Sequence, residues 1–101
     1  MISERHPIGA DVEAPRKYPA SVAKRFSRAE KEMLTASSRP ERPRAFARLW
    51  AAKEACVKCR GRGSISRVET SLEAEGTWQG IDWRRVEPAE DCVAVVAARL
   101  E

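Results

Sequence analysis

The chain has 101 residues and a mass of 11.3 kDa, enough for one domain with a modest core, expected to span residues 1–101. With 43% hydrophobic and 34% charged residues it has the balance of a folded protein and not that of a disordered tail. No apolar run reaches membrane-spanning length and the start, Met1 to His6, lacks the apolar segment of a signal peptide, so the expected location is cytoplasmic and no membrane partner is expected.

A net charge of +4 and a pI near 9.3 point to an anionic partner, for which nucleic acid, a phosphorylated cofactor and an acidic protein all qualify. The arginines are scattered among acids, and the interleaved aromatics of a base-stacking surface are missing, which argues against nucleic acid. The three cysteines, Cys56, Cys59 and Cys92, are an odd set with no export signal, so no disulfide framework is expected. Cys56 and Cys59 have CxxC spacing, but the pair falls inside a predicted helix, with no second pair and no suitably spaced histidine. Buried small residues are the better reading than a zinc or redox site.

In chain order, His6 to Glu13 reads as a short strand, on which Asp11 and Glu13 point to the same face. Such a pair is either a solvated edge strand or a set of hard oxygen ligands that repel unless a cation or proton lies between them; as ligands they suit Mg²⁺. Gly9 permits a bend or a close approach by a neighbouring chain. Residues 14–19, with two prolines, read as a loop, and Ser21 to Phe26 as a helical turn. Ser27-Arg-Ala-Glu30 matches a capping box and predicts a helix from Arg28 to Ala36, with Met33 and Leu34 facing inward. Residues 37–43 form a proline-rich connection.

The next helix, Phe46 onward to a stop at Gly61 and Gly63, organises the chain. At about 100° per residue, Phe46, Leu49, Trp50, Cys56 and Val57 fall on one apolar stripe with Lys53 inside it, Glu54 at its border and Lys58 one turn above Glu54. Lys53 either snorkels past Trp50 to water or needs an anionic partner, and Glu54 with Lys58 is either a surface pair or part of a site. Lys58, Arg60 and Arg62 crowd the C-terminal end, where cations complement the helix dipole and could also hold phosphate. Beyond Gly63, alternation at Val68, Thr70, Leu72 and Ala74 predicts a strand closed by a turn at Glu75-Gly76. Further strands are expected at Trp78 and over Ile81–Val86, a turn at Pro88–Asp91, and an apolar closing strand over Cys92–Ala98 buried on both faces. The fold class is α+β, helices packed on a mostly antiparallel sheet.

Pro7-Ile-Gly-Ala-Asp11-Val-Glu13, then Lys24-Arg-Phe-Ser with Glu30 and Leu34, then Phe46 to Gly63 with Trp50-Ala-Ala-Lys53-Glu54-Ala and Lys58, stand in the order of a known family. The chain resembles the 4′-phosphopantetheinyl transferases, specifically the C-terminal half of the surfactin-synthetase-activating type, related to the holo-acyl-carrier-protein synthases. The resemblance implies one half of that fold and a Mg²⁺-dependent transfer of the phosphopantetheine arm from coenzyme A to a serine of an acyl or peptidyl carrier protein. It implies metal ligation by Asp11, Glu13 and Glu54, proton removal by Glu54, stabilisation of the leaving 3′,5′-ADP by Lys58, and phosphate contact by Lys53 as well as Lys58. Trp50 is assigned to packing.

Larger family members have two similar halves, and the first carries a histidine that grips the nucleotide. His6 stands too close to Asp11 to take that role. A homo-oligomer or a separate N-terminal half is therefore expected to complete the site, the alternative being a non-catalytic half-domain that binds coenzyme A or a carrier protein. A small basic nucleic-acid-binding domain, motivated by charge alone, ranks last.

Overall fold

The computed structural model describes residues 7–86 and 91–99. Four strands, β1 (Ile8–Glu13), β2 (Glu75–Trp78), β3 (Ile81–Val86) and β4 (Val93–Arg99), form an antiparallel sheet in the order β1-β4-β3-β2. Between β1 and β2 the chain forms a short helix α1 (Ala20–Ala23), α2 (Arg28–Ala36) and the long α3 (Arg42–Arg60). The α+β layering expected from the sequence is the observed one.

The capping box starts α2 as predicted: Glu30 N–H donates to Ser27 Oγ at 3.1 Å and Ser27 N–H donates to Glu30 Oε1 at 2.9 Å. α3 begins with Pro43 in its first turn, where a missing N–H costs nothing, and ends where Gly61 turns left-handed at φ 87°. It is buried nearly all round, because it lies between two layers. Phe46 and Leu49 face Phe26 and Leu34, while Ala47, Ala51, Ala55, Cys56 and Cys59 face the inner side of the sheet, against Val93, Val95, Ala97, Ile81 and Trp83. The single apolar stripe read from the sequence is thus divided between two clusters, with Cys56 and Val57 on the sheet side and Phe46, Leu49 and Trp50 on the other. Cys56 and Cys59 are buried, free thiols in this packing, and burial pushes the Cys56 thiol up to about 12.

Gly9 sets how closely α3 approaches β1. A Cβ at that position would overlap the Ala55 carbonyl and the Cys59 amide nitrogen, both of them backbone atoms that cannot move aside. The small residues of α3 and the bare Cα of Gly9 together let the helix rest directly on the edge strand.

Three expectations are corrected. Residues 68–74 form no strand; a 3₁₀ turn over Ile65–Arg67 leads into an extended segment that joins no ladder. The alternation there is real but serves another purpose, since Val68 and Thr70 turn inward onto the helices. Glu75-Gly76 is accordingly not a turn but the start of β2; the chain reverses at Gln79-Gly80, both with positive φ (48° and 80°), a two-residue connection closing the Trp78↔Ile81 pair. The closing strand is β4, and its outer face is covered only in part: Val95 on the inner face is 1% exposed, whereas on the outer face Ala94 is 6% and Val96 40% exposed. Most of the predicted turn at Pro88–Asp91 lies outside the described residues.

Replacing Gly9 by alanine should destabilise the fold by at least about 3 kcal/mol, the upper range for overpacking, because the obstructing atoms are main chain. Urea denaturation measures this directly, and a loss under about 0.5 kcal/mol would show that α3 does not rest on Gly9.

Candidate active site

β1 is an edge strand, and its inner-facing residues alternate: Gly9, Asp11 and Glu13 stand opposite Ala97, Val95 and Val93 of β4. Gly9 receives the helix, and the next two inward positions are the paired carboxylates. α3 crosses β1 at this point and brings Glu54 and Lys58 to them. Lys58 Nζ donates to Asp11 Oδ1 at 2.9 Å and to the Ala10 carbonyl at 3.2 Å, a pair formed across 47 residues of sequence. Asp11 is the buried member, its side chain 10% exposed against 51% for Lys58.

The electrostatics of this seam are those of crowded anions. Partial burial raises the Glu13 carboxyl to about 7, helped by a hydrogen bond and charge repulsion from Asp11 and opposed by Arg16, whose Nη2 lies 3.9 Å from Glu13 Oε1. Glu54 is raised by burial and by Asp11, while Lys58 and Arg25 lower it. The bond to Asp11 raises Lys58 and keeps it a cation. Among the described residues, Asp11 Oδ2 is buried with no amide, hydroxyl or ammonium donor, a lone pair held away from water.

Those features suit a hard cation that takes one or two carboxylates and keeps water in its remaining positions. Among the described residues, no group of three ligands is drawn together tightly enough to hold a metal ion. Asp11 and Glu13 are the fitting pair, with Glu54 beside them.

Of the residues singled out from the sequence, Asp11, Glu13, Glu54 and Lys58 converge here, and Lys53 does not. Lys53 is fully buried on another side of α3, with its Nζ 2.7 Å from Glu30 Oε1 and also donating to the Val68 carbonyl. An ammonium with no exposed surface and two protein acceptors cannot reach a phosphate, so the expected ligand role for Lys53 is replaced by an internal ion pair. Trp50 packs as assigned, with its ring 5.8 Å from Phe46 and 6.0 Å from Phe26. Arg16 and Arg25 also act on these carboxyls. Arg16, three residues after Glu13, is detectable from spacing; Arg25 carries no such signal. Glu30 forms the cap that the sequence predicts, and its second duty toward Lys53 has no local sign.

Residues 7–96 match the 4′-phosphopantetheinyl transferase superfamily, and the chain belongs to it. Its fold is similar to that of the Thermotoga maritima holo-[acyl-carrier-protein] synthase, with a TM-score of 0.67 at 17% sequence identity over 94% of this chain. The match takes in 63% of that synthase chain, so this protein spans less than two thirds of the relative's length. No curated protein matches it.

Lys53→Met should cost about 3–5 kcal/mol, because it strands the Glu30 carboxylate in the core. Adding Glu30→Gln should recover part of that loss, since it removes the stranded charge and the amide carbonyl still accepts from Thr70, while the Ser27 N–H loses its acceptor. Denaturant unfolding of the wild type, both single variants and the double variant measures the coupling; additive losses would show that the two charges do not depend on one another.

Proposed function

We propose that the protein transfers 4′-phosphopantetheine from coenzyme A to a serine hydroxyl of an acyl or peptidyl carrier protein, in a Mg²⁺-dependent reaction at the seam between β1 and α3. The observation that carries this reading is the Lys58–Asp11 contact beside Glu13 and Glu54, in a chain of this superfamily. Asp11 and Glu13 would hold Mg²⁺, with Glu54 as a third ligand or joined to the ion through water; bound there, the ion would neutralise the diphosphate and make its phosphorus more electrophilic.

The chain's own groups supply the rest. Glu54, with its carboxyl raised above the ordinary carboxylate value by burial and by Asp11, is suited to take the proton from the carrier serine as its oxygen attacks phosphorus. The new bond is serine oxygen to phosphorus, and the bond broken is phosphorus to the oxygen of the departing 3′,5′-ADP. Lys58 has three protons, of which two are directed to Asp11 and Ala10; the third is available to the charge that develops on the leaving phosphate. Arg25, close enough to Glu54 to lower its carboxyl, is positioned to limit how far that proton affinity rises.

A second subunit, either another copy of this chain or a separate N-terminal half, would complete the coenzyme A site. Support comes from the outer face of the sheet, where Ile8 (50%), Val12 (59%), Val86 (38%) and Val96 (40%) are exposed, Ile8 and Val96 bordering a hollow of about 820 Å³. Among the described residues these four apolar side chains on adjacent strands stay largely uncovered, which suits a partner surface. No helix among the described residues is long and apolar enough to cross a membrane. The other reading, a half-domain that binds coenzyme A or a carrier without turnover, draws on the 63% span of the synthase.

Intact-mass spectrometry of an apo carrier protein incubated with the chain, coenzyme A and Mg²⁺ should show the phosphopantetheine mass gain. The gain should vanish with EDTA and fall at least about 100-fold in rate with Glu54→Ala, the usual scale for losing a general base. In sedimentation at micromolar concentration the active species should exceed the 11.3 kDa of one chain. A folded protein that modifies none of several carriers would instead favour the binding-only half-domain.

A further inference from the structure

Away from the carboxylate seam, the far end of α3 meets the tip of the β2–β3 hairpin and the end of β4, and the sequence there is notably basic. Two adjoining cavities lie at this junction. One, of about 290 Å³, is lined by Arg60, Arg62, Trp78, Gln79, Ile81 and Arg99. The other, of about 170 Å³, shares Arg60, Arg62 and Trp78 and adds Arg67 and Ser64. Among the described residues neither has a carboxylate in its wall, and no carboxylate forms an ion pair with any of these four arginines.

Helix-dipole complementarity accounts for Arg60 and Arg62, which sit at the C-terminal end of α3. It does not account for Arg67, from the following 3₁₀ turn, or for Arg99, from the end of β4. Four cations brought from three elements around one indole repel each other unless an anion lies among them. Arg60 is also held in place before any ligand arrives: its guanidinium lies 5.3 Å from the Trp78 ring centre, and Nη1 donates to Gln79 Oε1 at 3.0 Å. Arg62 and Arg67 are exposed, and no described side chain occupies their forks with a hydrogen bond or ion pair.

This place is distinct from the carboxylate seam of the same chain. Lys58 and Arg60 are two residues apart on α3 and point about 200° away from each other. Lys58 meets β1, at one edge of the sheet, whereas Arg60 meets Trp78 of β2, at the other.

We propose that these paired cavities form a second anion site, which binds a ligand carrying two adjacent phosphate groups. Each cavity has its own outer arginine, Arg99 in one and Arg67 in the other, and both share Arg60 and Arg62. A diphosphate can place one phosphate in each, with guanidinium forks matching its oxygens in pairs. The inference goes beyond the transferase reading and does not depend on it.

The test uses inorganic pyrophosphate, without Mg²⁺ and in 0.15 M NaCl so that diffuse attraction is screened, added to the ¹⁵N-labelled full chain. The Trp78 indole N–H and the Arg60 and Arg62 amide signals should shift saturably. Affinity should fall at least tenfold in the Arg62→Gln/Arg67→Gln variant, whose fold is checked by its unchanged remaining spectrum, and should persist in Lys58→Ala. No saturable shift, equal affinity in the arginine variant, or loss of the shifts in Lys58→Ala would each overturn the proposal. A protein that transfers phosphopantetheine but fails here loses only this site, and one that binds pyrophosphate here but modifies no carrier loses only the transferase reading.

Discussion

The arrangement depends on one buried ion pair. Glu30 and Lys53 are both fully buried, and the Glu30 carboxylate is saturated by protein donors: Ser27 N–H and Lys53 Nζ on Oε1, and Thr70 N–H and Oγ1–H on Oε2, all at 2.7–2.9 Å. One side chain thereby ties the start of α2, the middle of α3 and the extended segment after the 3₁₀ turn. A charge pair so placed adds little net stability compared with well-packed hydrocarbon, yet removing one member is costly, which makes it a device for specifying one geometry. Its effect on the site is rotational. With Lys53 fixed on the α2 side, the next residue, Glu54, must emerge about 100° further round the helix, on the side where β1 lies.

Gly9 supplies the second constraint, which is distance. Ion pair and glycine together fix the roll of α3 and its height above the edge strand, and these two coordinates place Glu54 and Lys58 against Asp11 and Glu13. The seam that results holds three carboxyls against Lys58, Arg16 and Arg25, with an unsatisfied Asp11 oxygen among them. That unsatisfied oxygen is unfavourable in a resting protein and useful in one that handles a cation and a polyphosphate. The uncovered outer face of the sheet has the same character, a local cost that is relieved when a partner is present.

Much of this was legible in the sequence wherever the signal was local. The capping box located α2 to the residue, and the i, i+2 spacing of Asp11 and Glu13 and the i, i+4 spacing of Glu54 and Lys58 put each pair on one face. Signals that depended on a distant partner misled. For Lys53 the sequence leaves water or an anionic partner open; the partner is there, 23 residues away in a glutamate that also caps α2. The segment from Val68 to Leu72 alternates like a strand because every second residue turns inward. Its inward groups, however, bond to Lys53 and Glu30 and not to a neighbouring strand, and periodicity alone cannot tell those two situations apart. The alanine face of α3 was missed because alanine gives a weak apolar signal, although it is what lets the helix lie on the sheet.

The most direct measurement is to titrate Mn²⁺, as a paramagnetic stand-in for Mg²⁺, into the ¹⁵N-labelled chain and record which amide signals broaden first. Selective loss at Asp11, Glu13, Glu54 and Lys58, reversed by excess Mg²⁺ and abolished in Asp11→Asn, is the expected result. Broadening centred anywhere else, or none below millimolar Mn²⁺, would contradict the assignment of the β1–α3 seam as the place where this chain holds its metal.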